Sequence, residues 1–433
     1  MGRQPARSIH RLTYILTLAP LLASASDGGA LTLVETVAAA RAHNPRIAMA
    51  RARARAAAAM PAQAAAYDDP VVSWEAWNIP ESVDVARADN NIFRLSQKIP
   101  FPGKRTLAGE AARDEADAVG ADADTVELDV VAAAKRAYWD LWMRHQRFLV
   151  YEREKSLVER YARLAEQRYA LGEVPQPDVL RAQVEVTHAV NRVTTEGLAL
   201  DAERAELNAL LSRPPEGPLG TPEDPVFTDV WVPLDALVDL AVAHRPELVA
   251  QAAAIARDEK GVRLAEKGYL PDFEVSVGRF VNSGTPNGFG AMASMTIPLA
   301  YKSKYDAGVS AASARLATAE AERRRVLDAV RREVQQALVR VRTYRLQRDL
   351  FTTTHIPQTE QALRVTESAY QTGSVDFLAL VDTVRMIESV HLEHIDAERE
   401  LGKAWADLER ALGTDVPSDG VPQPAHREGS HHE

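Results

Sequence analysis

Residues 95–106 read LSQKIPFPGKRT, and the pattern of the chain changes abruptly across them. The preceding residues, IFRLSQKI, alternate apolar and polar side chains as a strand with one apolar face does. From Lys104 onward there is no proline for about seventy residues, and the pattern is helical. Between them lies Pro-Phe-Pro-Gly, whose proline and glycine residues favour a fixed bend. The stretch therefore predicts a short strand that turns into one very long helix.

The chain repeats itself at a shift of 201 residues. Similar local sequences surround four pairs at this spacing: Pro45 and Pro246, Pro70 and Pro271, Gly172 and Gly373, Leu207 and Leu408. The bend recurs as Ile297-Pro298, 198 residues after Ile99-Pro100, so one hairpin loop is three residues shorter. An ordered series of matches indicates an internal duplication. We predict repeat 1 at residues 27–212, a Pro/Gly-rich linker at 213–230 and repeat 2 at 231–413.

Each repeat follows one plan of two helices, two strands, a long helix, a tight turn and a return helix. The predicted β-hairpins span about 71–99 and about 273–297, and the long helical hairpins span 104–212 and 303–413. The first long helix would reach about 100 Å, a length typical of coiled-coil packing. Pro357 is expected to kink its counterpart in repeat 2.

The strand candidates carry apolar residues on one face and polar residues on the other, at about nine to eleven residues per strand. This pattern is typical of transmembrane β-barrels. Four strands cannot close a barrel, and lipid does not tolerate an open sheet edge, so a membrane location requires an oligomer. The same alternation also fits a small soluble sheet that caps a helical bundle.

Composition narrows the class of protein. The net charge of −10 is spread over interleaved positive and negative residues, which argues against a nucleic-acid surface. The chain has no cysteine, so it is expected to lack disulfides, thiolate metal sites and a lipid anchor. No catalytic motif is present, and we predict neither an enzyme nor a cofactor.

Residues 1–26 have the pattern of a secretory signal peptide. Arg3, Arg7 and Arg11 precede a short apolar run that ends in a small-residue cleavage site, Ala23-Ser24-Ala25. The mature protein is therefore expected outside the cytoplasm.

Taken together, these residues make the sequence similar to the TolC-like outer-membrane efflux proteins over essentially the whole mature chain. The resemblance is carried by the duplicated plan, the A-x3-N-P opening, the Q-x-I-P-F-P-G-K-R bend and the paired Y-x2-G turns. It implies a mainly α protein with a membrane β part. Three copies would each give four transmembrane strands to one shared twelve-stranded barrel, and the long coiled-coil helices would form a periplasmic α-barrel.

The resemblance also implies roles for individual residues. The elbow between strand and helix would comprise Pro100, Pro102, Gly103, Lys104 and Pro298. Lys104 and Arg105 would either meet lipid head groups or be solvated. The tips that dock a periplasmic adaptor would comprise Tyr169, Gly172, Tyr370 and Gly373. Asp382 matches the second aspartate of the family's D-x2-D aperture pattern, whereas Ala379 replaces the first.

The implied function is a passive exit duct in the outer membrane of a Gram-negative-type cell. An inner-membrane pump, of the resistance-nodulation-division class, would deliver cargo through the adaptor. The I-P-F-P-G-K-R bend resembles members that export heavy-metal cations. A multidrug or small-amphiphile duct is the alternative cargo class, and a periplasmic coiled-coil rod without a pore is the alternative of a different kind.

Histidines offer weak metal candidates. Glu388, His391, His394 and Glu398 share one helical stripe, where a polar helix face is the simpler interpretation than a metal site. The tail, residues 414–433, contains His426, His431 and His432 and is predicted to be disordered.

Overall fold

The computed structural model describes residues 29–416, apart from residues 80, 82–87, 226, 228–232 and 284. The predicted signal peptide, residues 1–26, and the histidines of the tail lie outside the described residues.

The elements of the first half, in chain order, are β1 (Ala30–Leu31), α1 (Leu33–His43), α2 (Pro45–Ala64), β2 (Val71–Trp77), β3 (Asn90–Ile99), α3 (Lys104–Ala170) and α4 (Gln176–Leu210). The elements of the second half are β4 (Thr221–Pro222), α5 (Leu234–His244), α6 (Pro246–Glu266), β5 (Phe273–Asn282), β6 (Gly288–Met295), α7 (Ala307–Leu350), α8 (Ile356–Gln371) and α9 (Phe377–Leu412).

The four long strands form one antiparallel sheet in the order β2–β3–β5–β6. Each repeat contributes one hairpin, and the two hairpins join where β3 pairs with β5, with Ile99 opposite Phe273. The two-residue strands β1 and β4 pair in parallel and bring the start of the described chain beside the linker. Both repeats therefore build a single sheet, whose edges are β2 and β6.

The helices form one layer that extends away from the sheet. Nearer the sheet, contacts run in the order α2–α3–α6–α7, and farther away in the order α4–α3–α9–α7, with α8 beside α9. Among the described residues, no helix has both the length and the apolar character needed to cross a bilayer.

The long helix of repeat 2 differs from α3. A π-helical segment at Phe351–His355 interrupts it directly before Pro357, which lies in the first turn of α8. At this place the hydrogen-bond ladder changes its spacing, and the N–H of Ile356 donates to the carbonyl of Phe351. The structure thus has a local change in the hydrogen-bond ladder at the position where Pro357 was expected to kink the helix.

The duplication is visible in the contacts at the helix starts. The side chain of Asn44 donates from Nδ2 to the carbonyl of Leu210 at 2.9 Å, and Arg245 donates from Nη1 to the carbonyl of Ala411 at 3.2 Å. Donors and acceptors are both 201 residues apart. In each repeat, the residue before the proline therefore ties the second helix to the end of the return helix.

The two repeats also meet where α3 packs on α9. Gly402 lies against the indole ring of Trp139, which also packs edge-on against Tyr138 and Trp142. A Cβ atom at Gly402 would overlap that ring. Trp139 has little room to retreat because it is itself buried among these aromatic side chains.

We expect Gly402→Ala to destabilise the protein by about 1–3 kcal/mol, because the added methyl group overpacks the α3–α9 contact. The control is Gly261→Ala in α6, where an added Cβ would meet nothing within 4 Å. That change should stabilise the helix by about 0.5–1 kcal/mol. Thermal unfolding of the detergent-purified variants would show melting temperatures that move in opposite directions. Equal shifts would contradict the proposed close contact.

Candidate functional site

The first strand–helix elbow is held by contacts from the other repeat. Gly103 has φ +90°, a left-handed conformation that favours glycine. Asp272, just before β5, accepts hydrogen bonds from the backbone N–H of Phe101 at 2.8 Å and from Lys104 Nζ at 2.7 Å. Lys104 Nζ also donates to the carbonyl of Leu270 at 3.0 Å. The bend predicted from the sequence is thus tied across the β3–β5 junction.

These contacts answer the question about the two basic residues. Lys104 is mostly buried, and its ammonium is occupied by Asp272. Arg105 donates to the carbonyl of Ala65 at 2.9 Å, and its guanidinium lies 3.3 Å from the ring centroid of Tyr67. In this conformation both side chains are therefore held by contacts inside the chain.

The second elbow is built differently. Pro298 is buried, and the chain then enters a π-helical segment, Tyr301–Asp306, before α7. The hydroxyl of Tyr269 donates to the carboxylate of Asp306 and ties this segment to the end of α6. This second elbow has no left-handed glycine among the described residues. Its geometry relies on tyrosine packing instead.

The two turns at the far end of the helices have the same backbone. Gly172 has φ +75° and Gly373 has φ +77°. Glu173 N donates to the carbonyl of Arg168 at 2.9 Å, and Ser374 N donates to that of Ala369 at 2.8 Å. This is the bonding pattern of a helix that ends on a left-handed glycine.

The two tip tyrosines have different surroundings. Tyr169 is exposed, whereas Tyr370 is only 1% exposed and packs edge-on against Phe377. Arg168 donates to the carbonyl of Tyr370 and so links the two turns. A partner can reach Tyr169 in this conformation, but Tyr370 can act only by shaping the turn.

Asp382 lies in the second turn of α9, just behind the tip, and its side chain is exposed. Its neighbours in sequence, Leu380 and Val381, are buried in the apolar cluster of the tip, which also contains Tyr161 and Phe377. The tip is therefore a small apolar core with one carboxylate on its free side.

Above the tip, three helices meet at an ionic junction that the sequence analysis missed. Glu154 of α3 is 7% exposed and accepts a hydrogen bond from Arg192 of α4. The Nε atom of Arg192 lies 3.7 Å from a carboxylate oxygen of Glu388 in α9. Burial and the nearby charge of Glu388 raise the pKa of Glu154 to about 7, although Arg192 acts in the opposite direction. No short-range sequence signal marks this junction, because its members come from three separate helices.

The histidine stripe lies next along α9. His394 Nε2 is 3.7 Å from a carboxylate oxygen of Glu398, and its ring meets Phe351 edge-on with 6.3 Å between the centroids. Burial lowers the pKa of both His391 and His394. Within the described ranges, no group of three or more histidine, aspartate or glutamate side chains is placed to hold a metal ion. In this structure the polar contact of the stripe lies within α9, and its contact with another segment is the ring of Phe351.

Comparison with known proteins settles the family. The Outer membrane efflux protein family matches the chain twice, over residues 36–213 and 237–414. The chain belongs to this family. The two matches confirm the duplication, and the general function follows from the family: the protein is an outer-membrane efflux channel.

Individual relatives are distant but extend over most of the chain. It is 20% identical over 393 residues to the cobalt-zinc-cadmium resistance protein CzcC of Cupriavidus metallidurans, which covers 89% of this chain and 90% of that protein. The outer membrane protein VceC of Vibrio cholerae matches with a TM-score of 0.75 at 18% identity, covering 88% of this chain and 96% of VceC. CusC, described in connection with transmembrane channel formation, matches with a TM-score of 0.75 at 15% identity, covering 88% and 92% of the two chains. These structures confirm the predicted TolC-like fold.

We expect Glu154 to make stability depend on pH. Its folded pKa of about 7 exceeds its ordinary value of 4.5, so its stabilising contribution is complete below pH 4.5 and is lost as pH rises through 7. Glu154→Gln cannot titrate, so the difference in melting temperature between it and the unmodified protein should change between pH 5 and pH 8. The half-exposed Glu152 provides a matched control, Glu152→Gln, which makes the same change on α3 outside the junction. A wild-type-minus-E154Q difference that stays constant with pH would contradict the assignment.

Proposed function

We propose that this protein is the trimeric exit duct of a tripartite exporter and passes heavy-metal cations. The observation that carries the proposal is that sheet and helical layer both end in unpartnered edges with exposed apolar side chains. A second and a third copy of the chain are the natural occupants of those edges.

The sheet supports this arrangement through its two edge strands. In the described chain β2 pairs only with β3, and β6 pairs only with β5. One face of the sheet is apolar and exposed, with Phe289 at 82% exposure. A backbone edge in lipid leaves N–H and C=O groups without any partner, so the edges must pair with each other. Three copies of a four-stranded sheet would form a closed barrel of twelve strands.

The helical layer has matching edges. On α4, Leu180, Val184 and Leu198 are exposed, and on α7 so are Val339, Leu346 and Leu350. Their spacings of four, seven and fourteen residues keep them on one heptad seam. Since α4 packs on α3 and α7 packs on α9, these seams lie at the two margins of the layer. Knobs-into-holes packing of α4 against α7 of another copy would cover both.

We assign the docking site of the adaptor to the tip turns. The pump would lie in the inner membrane, beyond the adaptor. Tyr169 and Gly172 present an exposed surface, and Gly373 holds the second turn, with Tyr370 beneath it. Three copies of Asp382 around a narrow opening would favour cations, since a ring of carboxylates lowers the electrostatic energy of a cation in the pore. The energy for transport would come from an inner-membrane pump of the resistance-nodulation-division class.

The cargo is inferred from the relative named for cobalt, zinc and cadmium resistance, which matches nearly the whole chain. A passive duct needs no binding site for its cargo. A metal site in this chain is therefore not required by the proposal.

We expect Leu346→Glu to shift the detergent-purified protein from trimer to monomer on gel filtration. Leu346 is 71% exposed in one chain, so the change should leave the protomer fold intact and show an unchanged circular dichroism spectrum. At the seam it would bury a carboxylate without a partner, which is unfavourable. Leu346→Ala keeps the seam apolar and should retain most of the trimer. If the unmodified protein is a soluble monomer, the duct is excluded and the coiled-coil rod is favoured.

The cargo is tested in a strain that lacks the gene. Growth is measured against cobalt, zinc, cadmium, copper and silver salts beside dyes, detergents and antibiotics. We expect sensitivity to metals only, restored by the unmodified gene. Sensitivity to the organic compounds alone would replace the metal assignment with drug efflux.

The same strain tests the tips. Complementation with Gly172→Trp or Gly373→Trp should fail to restore growth at normal levels of trimer, because a bulky side chain is strained at positive φ and obstructs a docked partner. Full resistance with both variants would remove the tips from the docking site.

A further inference from the structure

One charged side chain lies on the apolar face of the sheet. Strand alternation and the pairing register place every second residue of each strand on this face. The face runs from Val72 to Ala76 in β2, from Asn91 to Ile99 in β3, from Phe273 to Val281 in β5 and from Phe289 to Met295 in β6. Within the described strands, Arg279 is the single charged member of this set. The face is the one that the proposed barrel would turn towards lipid.

Aromatic rings surround Arg279 on both neighbouring strands. Its direct cross-strand partners are Phe93 in β3 and Phe289 in β6. The guanidinium lies 5.2 Å from the ring centroid of Phe289, and Trp74 stacks on Phe93 with 6.4 Å between centroids. No carboxylate of the described chain forms an ion pair with Arg279, whereas Arg94 on the opposite face is paired with Glu75 at 2.9 Å.

The position along the strand places Arg279 in the outer half of the sheet. The helices join the sheet at its inner end, where Ile99 lies opposite Phe273. Arg279 lies six residues beyond Phe273, which is about 20 Å along a strand. It is three residues from Asn282, after which the loop between β5 and β6 begins.

A shallow open groove of about 560 Å³ runs beside Arg279. Its lining includes Val72, Leu95, Val277 and Ala291, with Phe93 and Phe289 at the side of the guanidinium. The groove therefore offers an open, largely apolar surface beside the guanidinium of Arg279.

An arginine with no anionic partner is costly on a lipid-facing surface. A phosphate group removes that cost, because guanidinium binds phosphate through two parallel hydrogen bonds. In the outer leaflet of a Gram-negative outer membrane, phosphates are carried by the glucosamine head group of lipopolysaccharide, directly above its acyl chains. We propose that Arg279, framed by Trp74, Phe93 and Phe289, binds a lipid A phosphate while an acyl chain lies in the adjacent groove. The assignment rests on the proposed function, which places the sheet in the outer membrane.

The test is lipid retention by the full chain. Detergent-purified wild-type and Arg279→Gln proteins are incubated with lipid A, and the bound lipid is counted by native mass spectrometry. We expect Arg279→Gln to weaken retention about tenfold, the size expected for losing one charge-assisted pair. Arg279→Lys should give an intermediate loss, since lysine keeps the charge but not the two-pronged geometry. The control is Lys98→Gln, which removes a positive charge from the opposite face of the sheet.

Gel filtration and single-channel conductance on the same samples separate the two claims. If the wild-type protein is not a conducting trimer, the proposed function fails. If Arg279→Gln conducts as a trimer and retains lipid A like the wild type, the phosphate site is excluded and the channel stands. Equal losses in Arg279→Gln and Lys98→Gln, or equal retention of phosphatidylglycerol and lipid A by the wild type, would overturn the assignment to lipopolysaccharide. A loss confined to Arg279 variants and to lipid A supports it.

Discussion

The backbone of two edge strands constrains the rest of this protein. Within a bilayer, an unpaired N–H or C=O group has no water to bond, so a four-stranded sheet cannot remain open. The helical layer also favours a partner at its margins, though less strictly. Burial of the exposed leucine and valine residues of α4 and α7 would lower the free energy. Both layers present four elements and two free margins, and the proposed threefold arrangement would satisfy both at once.

The duplication explains why both layers have four elements. Each repeat supplies one β-hairpin and one long helical hairpin, and the contacts between repeats unite them into single layers. Some of those contacts kept their symmetry, such as the bonds from Asn44 and Arg245 to equivalent carbonyls. Others diverged. Only the first elbow uses a left-handed glycine and a salt bridge, and that salt bridge reaches across to Asp272 of the other repeat. Divergence of this kind makes the two halves interdependent.

Periodicity and proline placement were enough to predict the strands, the long helices and the repeat, because those signals are local. The contacts at the candidate sites depend on which faces meet, and sequence patterns do not specify that. Lys104 illustrates this point, because its partner Asp272 is 168 residues away. The sequence left open whether the side chain of Lys104 meets lipid head groups or water. Tyr169 and Tyr370 occupy equivalent places in the repeat, yet one is exposed and the other buried. The junction of Glu154, Arg192 and Glu388 was missed for the same reason, since each residue lies on a different helix, and Glu388 was assigned only to the histidine stripe.

Threefold symmetry changes how the charges of a duct act. A side chain that faces the lumen appears three times at one height, so one exposed carboxylate becomes a ring. On the polar face of the sheet, Arg94 is paired with Glu75, which leaves little net field at that level. Asp382 has no such neutralising ion pair in the described part of the chain, and it lies at the tip, where the helices converge on a small apolar core. In the proposed trimer, the electrostatic preference of the duct would therefore be set at the periplasmic end and not in the membrane. This placement would suit the proposed passive channel, because cargo would then be discriminated only where it enters and would pass the barrel without binding.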